Sequence, residues 1–136
     1  MTPAKRSLTT YCVVASLLLT SLGVSAQVLK SGNDLLKACS VTLKVVSGEP
    51  PPADFSGAQF CMAYLEGFRS GIEFSEAVVR GQGASNVKLP ICIPSEATNG
   101  QILRVVTKFL IENPERLHED KLTLTATALN RAFPCK

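Results

Sequence analysis

Residues 56–83 read SGAQFCMAYLEGFRSGIEFSEAVVRGQG, and they carry the strongest structural pattern of the chain. Large apolar side chains recur there every three or four residues, at Phe60, Tyr64, Leu65, Phe68 and Ile72. That spacing places one apolar stripe on an amphipathic helix. Gly81-Gln82-Gly83 ends the pattern, because glycine commonly terminates helices. The sequence therefore predicts a long helix from about Ser56 to Arg80.

Small residues form a second register on the same segment, at Ala63, Gly67 and Gly71. Glycine inside a helix costs about 1 kcal/mol relative to alanine, so two glycines four residues apart need a compensating contact. We expect another helix to pack closely there, either within the protomer or across a dimer. Four charged residues interrupt the segment and argue against a membrane-spanning helix: Glu66, Arg69, Glu73 and Glu76.

Capping signals mark further helices on both sides of this segment. Ser31 followed by Asp34 predicts a short helix over 33–39, and Thr98 followed by Gln101 opens a helix that runs through Glu112. Asn113-Pro114 predicts a short fourth helix, and a last helix is expected from Lys121 to Phe133. The predicted fold class is all-α, a small disulfide-stapled bundle of about four to five helices.

The apolar spacing also predicts which sides of the later helices are buried. On the third helix these are Ile102, Val105, Val106, Phe109 and Leu110, and on the last helix Leu122, Ala126, Leu129 and Phe133. Alternating Leu and Thr over 122–127 also fits a strand, although the Ala-rich continuation favours a helix. Residues 41–46 are expected to be extended, and Pro50-Pro51-Pro52 makes a stiff loop.

The N-terminus has the three-part pattern of a secretory signal. Lys5 and Arg6 precede an apolar run from Tyr11 to Val24, and Val24-Ser25-Ala26 offers a cleavage site. A membrane anchor is the alternative, but the run is shorter than the roughly 20 residues that span a bilayer. We therefore predict a signal peptide over 1–26 and a domain over 27–136 that is exported from the cytoplasm. The formal net charge of +3 is too small to suggest nucleic acid as a partner.

Four cysteines remain after removal of the signal, which would carry away Cys12: Cys39, Cys61, Cys92 and Cys135. Their spacing is too wide for a metal site, and His118 is the only histidine, so two disulfides are favoured over zinc. Four cysteines allow three pairings. Cys39 ends the predicted first helix and Cys61 lies in the first turns of the second. If the third and last helices pack antiparallel, Cys135 after the last helix returns toward Cys92 before the third. We therefore expect the pairs Cys39–Cys61 and Cys92–Cys135.

Catalytic motifs are absent from the sequence. It contains no G-x-S-x-G or H-E-x-x-H pattern, and His118 stands beside Glu119 and Asp120 at a helix junction. Glu73 and Glu76 lie four residues from Arg69 and Arg80 respectively, which suits ordinary ion pairs. We expect no enzyme activity, no metal, no cofactor, no nucleic-acid partner and no membrane association after signal cleavage.

The ordered set of short motifs resembles a known family. The motifs are SGNDLL (31–36), FCMAYLEG (60–67), ICIP (91–94), GQILRVV (100–106), NPERLH (113–118) and AFPC (132–135). Together they resemble immunity proteins of the Rap/Tai type over residues 31–135. The resemblance implies an all-helical periplasmic protein, frequent homodimers, and inhibition of a peptidoglycan amidase effector of a type VI secretion system by covering its active site.

Two loops are candidates for effector contact, since recognition residues often lie on loops. The first spans Gly81 to Leu89 and offers Gly81, Gln82, Gly83, Asn86 and Lys88. The second spans Lys44 to Asp54, within the segment Val41–Phe55 that is longer than the usual link in the family. Both could equally be plain surface connections. The alternative function is a small periplasmic acid-stress chaperone that binds unfolded clients.

Overall fold

The structure is a computed structural model that describes residues 30–83 and 90–135. Within these ranges it contains four α-helices: α1 (Gly32–Val46), α2 (Ser56–Gly81), α3 (Asn99–Glu112) and α4 (Lys121–Ala132). A 3₁₀ turn, Pro114–Arg116, lies between α3 and α4. No strand occurs in these two ranges, and only isolated bridges join Ser31 to Asp120 and Ile91 to Pro134. The predicted all-α class is confirmed.

Helix α1 begins where the sequence predicts but ends later. The Ser31 hydroxyl accepts from the Asp34 backbone N–H, and the Asp34 carboxylate accepts from the Ser31 N–H, forming a reciprocal capping box. The prediction of an extended segment over 41–46 is wrong, because the helix continues through Val46. Thr42 is buried there, and its hydroxyl donates to the carbonyl oxygens of Ala38 and Ala58, so packing against α2 overrides the weak helix propensity of β-branched residues.

Helix α2 agrees with its predicted bounds to within one residue. Its buried side consists of Ala58, Cys61 and Leu65, with Tyr64, Phe68 and Ile72 partly buried beside them. Phe60 departs from the predicted stripe, since 44% of it is exposed. The centre of the buried face therefore lies on the Cys61–Leu65 side of the helix, about 100° away from Phe60.

Helix α3 is the most buried element. The Thr98 hydroxyl accepts from the Gln101 N–H at its start. Four of the five predicted apolar residues are buried, Val105 is only partly buried, and Leu103 and Thr107 are buried in addition. The predicted fourth helix at Asn113-Pro114 is only the single 3₁₀ turn. Helix α3 packs against each of the other three helices, and α1 packs most extensively against α2.

Helix α4 is a helix rather than the alternative strand. Asp120 caps it by accepting from the N–H groups of Leu122 and Thr123. The core-facing residues are Leu124, Thr125, Ala128 and Leu129. The prediction that Leu122 lines the buried side is wrong, because Leu122 is 57% exposed. Packing against α3 turns Leu124 and Ala128 inward instead, and Leu122 lies about 160° around the helix from Leu124.

Candidate partner-binding surfaces

The two disulfides differ in where they lie. They pair Cys39 with Cys61 and Cys92 with Cys135, as the sequence predicts. Cys39 and Cys61 are fully buried and join α1 to α2 in the core. Cys92 is exposed, and its N–H donates to the Phe133 carbonyl oxygen beside the bridge between Ile91 and Pro134. The second disulfide therefore fastens the chain end to the segment before α3 at the surface.

An apolar stripe runs along the outer side of α2, away from the core. Its members are all exposed: Phe60, Ala63, Gly67, Gly71, Phe74 and Val78. At 100° per residue they fall within a sector of about 80°, and no charged residue of α2 falls inside that sector. Phe74 is 71% exposed, the most exposed large apolar residue in the described part of the chain. We call this set the outer stripe.

A groove of about 440 Å³ adjoins the outer stripe where α2 faces the start of α4. Its lining is almost wholly apolar and combines residues of α2, the segment before α3, and α4: Gly67, Phe68, Gly71, Ile72, Ser75, Pro90, Ile91 and Leu122. The exposed Leu122 forms part of the groove wall. The groove and the outer stripe share Gly67 and Gly71, so they form one continuous apolar surface.

The two glycines at the centre of this surface have open space in front of them. A Cβ built at Gly67 or Gly71 would meet no described atom within 4 Å. The described residues of the protomer therefore supply no helix that packs closely on Gly67 and Gly71, and the alternative of close packing across a dimer stays a prediction. Ala63 lies on the same exposed face.

The charged residues of α2 lie on other sides of the helix. The Arg69 guanidinium donates to the carbonyl oxygens of Ala97 and Ser95 and pairs with Glu73 at 2.7 Å. Arg80 lies 3.7 Å from Glu76, so both predicted ion pairs are confirmed. Arg69 thereby ties the inner side of α2 to the loop before α3 and leaves the outer stripe without charge.

The first candidate loop begins at the C-terminal end of α2. Gly81 is the last residue of the helix, Gln82 follows it, and Gly83 has a φ of +67°, a conformation that favours glycine. All three are exposed. Asn86 and Lys88 lie outside the described residues. The structure therefore shows where this loop leaves the fold, at the end of α2 that carries Val78.

The second candidate loop lies at the opposite end of α2. Residues 46–54 are all exposed, including Pro50, Pro51 and Pro52, and Gly48 turns the chain after α1 with a φ of +98°. The Asp54 carboxylate accepts from the Ser56 N–H and hydroxyl, and these hydrogen bonds hold the pKa of Asp54 below its usual value. A helix of 26 residues is about 39 Å long, so Gly81 at the start of the first loop and Asp54 at the end of the second lie near opposite ends of α2.

Tyr64 links the edge of the outer stripe to α4. Its hydroxyl donates to the Thr125 hydroxyl at 3.2 Å, and the Lys121 ammonium lies 5.4 Å from the centre of its ring. Burial raises the pKa of Tyr64, and the Asp120 carboxylate acts in the same direction, against the hydrogen bond to Thr125. These contacts link α2 to α4 at this point.

Sequence reasoning missed three exposed members of this surface, Phe74, Val78 and Leu122. Phe74 and Val78 do not belong to the buried register, and Leu122 was assigned to the wrong side of its helix. One signal was present: Phe74 lies two residues after Ile72, which is out of phase with the stripe that ends there. A second apolar register on one amphipathic helix indicates a second contact surface.

The described residues contain no group that could hold a metal ion. His118 is exposed, and the neighbouring Glu119 is hydrogen-bonded to Arg116 at 2.7 and 2.8 Å. That hydrogen bond lowers the pKa of Glu119 and holds the carboxylate in a structural ion pair. Among the helices of residues 30–83 and 90–135, none is both long and apolar enough to cross a bilayer.

The described residues form a small, all-helical domain held by two disulfides, and one outer face on α2 carries three of its exposed large apolar residues, Phe60, Phe74 and Val78. The model of the Rap1a immunity protein family matches residues 31–135. The chain therefore belongs to the Rap1a immunity protein family. No curated protein and no solved structure matches it.

Proposed function

We propose that this protein is a periplasmic immunity protein that binds a peptidoglycan amidase effector of a type VI secretion system and inhibits it by covering its active site. The family match over residues 31–135, which includes all four paired cysteines, carries the proposal. The protein acts by binding and performs no catalysis of its own. It works as a homodimer, without cofactor or metal.

The periplasmic location is supported by the disulfides and by the N-terminal pattern. Disulfides form and persist in oxidising compartments and are rare in the cytosol. Residues 1–26 carry the basic, apolar and small-residue regions of a cleavable export signal. They lie outside the described residues, so N-terminal sequencing of the exported protein is the direct check: the first residue is expected to be Gln27.

The loop that leaves α2 at Gly81 is the proposed effector contact. Gly81 and Gly83 permit close approach of backbone to a partner, and Gln82, Asn86 and Lys88 supply polar groups. The segment Lys44–Asp54 is the second proposed contact; its first three residues are the end of α1, and the exposed loop begins after Val46.

The test uses the amidase encoded beside the gene as the probe, with the immunity protein purified from the periplasm of an oxidising host. We expect the pair to form a tight complex and cleavage of peptidoglycan peptides to stop. Gln82→Ala combined with Lys88→Ala should weaken inhibition by about 30-fold or more if these are central contacts. Gln101→Ala, exposed at the start of α3, is the matched control and should leave inhibition unchanged.

Two outcomes contradict the proposal in different ways. Full inhibition by the Gln82→Ala, Lys88→Ala variant would remove this loop from the contact surface but leave the immunity role intact. Failure to bind the amidase, together with protection of many unfolded proteins at acid pH, would overturn the immunity role and favour the chaperone.

A further inference from the structure

We propose that the outer stripe of α2 is the surface on which a second copy of this chain docks, with the two α2 helices antiparallel about a two-fold axis level with residue 69. This inference rests on the proposed homodimer and assigns its interface. The identity of the binding partner follows from three features of the stripe: the symmetry of its residue positions, the shape of its surface, and its lack of charge.

The symmetry is visible in the positions of the stripe residues. Gly67 and Gly71 each lie two positions from residue 69, and Phe60 and Val78 each lie nine positions from it. A two-fold axis pairs residues that are equally far from its level, and the same patch must be complementary to itself. An antiparallel pair therefore brings Gly67 onto Gly71 of the partner subunit, and Phe60 onto Val78 of the partner subunit.

The shape of the surface suits an antiparallel pair of α2 helices. Phe74 projects from one half of the stripe, and the position equally far on the other side of residue 69 is Tyr64. Around Tyr64 on the helix surface lie Phe60, Ala63 and Gly67, a site bounded by two small residues. Each Phe74 can insert into this site on the other copy, as a side chain of one helix packs between four residues of the next.

The glycines explain how close the two helices can come. Helix axes pack 8–10 Å apart depending on the side chains between them, and a crossing centred on Gly67 and Gly71 lies at the short end of that range. Open space in front of both glycines is what this contact needs, and the described residues leave it open. Leu122 at the groove wall, 57% exposed, adds apolar surface beside the contact.

The lack of charge disfavours a polar partner on this surface. The cores of protein interfaces are depleted in charged residues and enriched in aromatic ones. The outer stripe carries two Phe residues and no charged side chain. A charged side chain of a different partner would therefore have no group of opposite charge to pair with on this surface. A second copy supplies the matching apolar surface by symmetry.

The first experiment measures the mass of the exported protein in solution over a wide range of concentration. The wild type is expected to be a dimer. Phe74→Arg places an unpaired charge within the contact, at the side chain that inserts into the other copy, and should raise the dimer dissociation constant by about two orders of magnitude. Because Phe74 is 71% exposed in the protomer, the variant should keep the helical circular dichroism of the wild type. Ile111→Arg is the matched control, since Ile111 is 58% exposed on α3, and it should remain dimeric.

A second measurement tests the antiparallel arrangement without altering the stripe. One copy carries Gln59→Cys with a donor dye and the other carries Arg80→Cys with an acceptor, both at exposed positions. Within one protomer these sites are 21 residues apart, or about 32 Å along the helix. Antiparallel docking brings Gln59 of one copy close to Arg80 of the partner subunit, so mixed dimers should show strong energy transfer.

The outcomes separate the interface from the homodimer itself. A wild type that stays monomeric at every concentration would overturn both the homodimer and this interface. A folded Phe74→Arg variant that stays dimeric, or weak transfer between the Gln59 and Arg80 sites in a stable dimer, would overturn the interface while the homodimer stands.

Discussion

Gly32, the first residue of α1, lies directly against Leu124 of α4. A Cβ at position 32 would overlap the Leu124 side chain and would lie 3.1 Å from the Leu117 carbonyl oxygen. The Gly32 N–H donates to the Glu119 carbonyl oxygen at 3.0 Å, which holds the start of α1 on the turn before α4. The close contact between these two helices therefore needs a residue without a side chain at position 32.

We expect Gly32→Ala to destabilise the fold. Leu124 is buried in the core and the Leu117 backbone cannot move freely, so the added methyl group should cost about 1–3 kcal/mol of unfolding free energy. Urea unfolding followed by circular dichroism measures it. Gly100→Ala is the control, because a Cβ there meets only ordinary contacts beyond 3.6 Å. Equal stability of the two variants would contradict the tight contact.

Tyr64→Phe tests the hydrogen bond between α2 and α4. The change leaves the hydroxyl of the fully buried Thr125 without its donor, and we expect a loss of about 1–2 kcal/mol of stability. The double variant with Thr125→Val should lose less than the sum of the single changes, since the buried hydroxyl is removed as well. Additive losses would show that the two hydroxyls do not interact.

Tyr64 should also titrate above the ordinary tyrosine pKa of about 10, because burial disfavours its charged form. It is the only tyrosine in residues 27–136, so ultraviolet absorbance of the processed protein reports it alone. A pKa raised in the folded state means that its contribution to stability is complete below pH 10 and is lost as pH rises through the folded pKa. An ordinary titration midpoint would contradict the burial of this ring.

The helix starts could be predicted from sequence because capping is local. Ser31 and Thr98 occur three residues before Asp34 and Gln101, and each hydroxyl accepts from the N–H at that spacing. The end of α1 could not be predicted in this way, since Thr42 becomes helical through its contact with Ala58, a residue of a different helix. Likewise the 3.6-residue period describes an apolar face, but only the packing of α3 decides whether Leu122 or Leu124 turns inward.

The candidate surfaces were predicted less completely, for a related reason. Ala63, Gly67 and Gly71 stood out because glycine is costly inside a helix. Phe74 did not stand out, since its importance comes from exposure, and exposure depends on where the other three helices lie. A sequence period cannot distinguish a core face from an interface face when both occur on one helix.

The two disulfides should respond differently to a dithiol reductant. Thiol–disulfide exchange requires access of the attacking thiolate to a sulfur atom, and Cys92 is exposed whereas Cys39 and Cys61 are fully buried. Mild treatment should open Cys92–Cys135 first and leave the helical circular dichroism nearly unchanged. Alkylation of the freed thiols followed by mass spectrometry identifies the opened pair, and early labelling of Cys39 would contradict the expectation.

Asp34 should stabilise the fold above about pH 4 and lose that effect in acid. Hydrogen bonds from the backbone N–H of Ser31, then from that of Lys30, lower the pKa of Asp34 in the folded protein. A lowered folded pKa gives stability that is present above the unfolded value of about 4 and is lost as pH falls through the folded pKa. Asp34→Asn should therefore lower the melting temperature at pH 7, with a smaller difference at pH values below about 3. Glu66→Gln, an exposed change on α2, is the control, and a difference that does not shrink in acid would contradict this role.

The double variant Gly67→Ala, Gly71→Ala should act in opposite directions on the protomer and on the dimer. Within the protomer the new methyl groups meet no described atom within 4 Å, and each alanine favours the helix by about 1 kcal/mol relative to glycine. Across the proposed interface the same methyl groups push the two helices apart and weaken the contact. Urea unfolding of the monomeric Phe74→Arg background should therefore show a gain in stability, whereas the dimer dissociation constant in the wild-type background should rise. A gain in protomer stability without a rise in the dimer dissociation constant would mean that the helices do not cross at these glycines, because a helix face that nothing contacts can only benefit from the substitution.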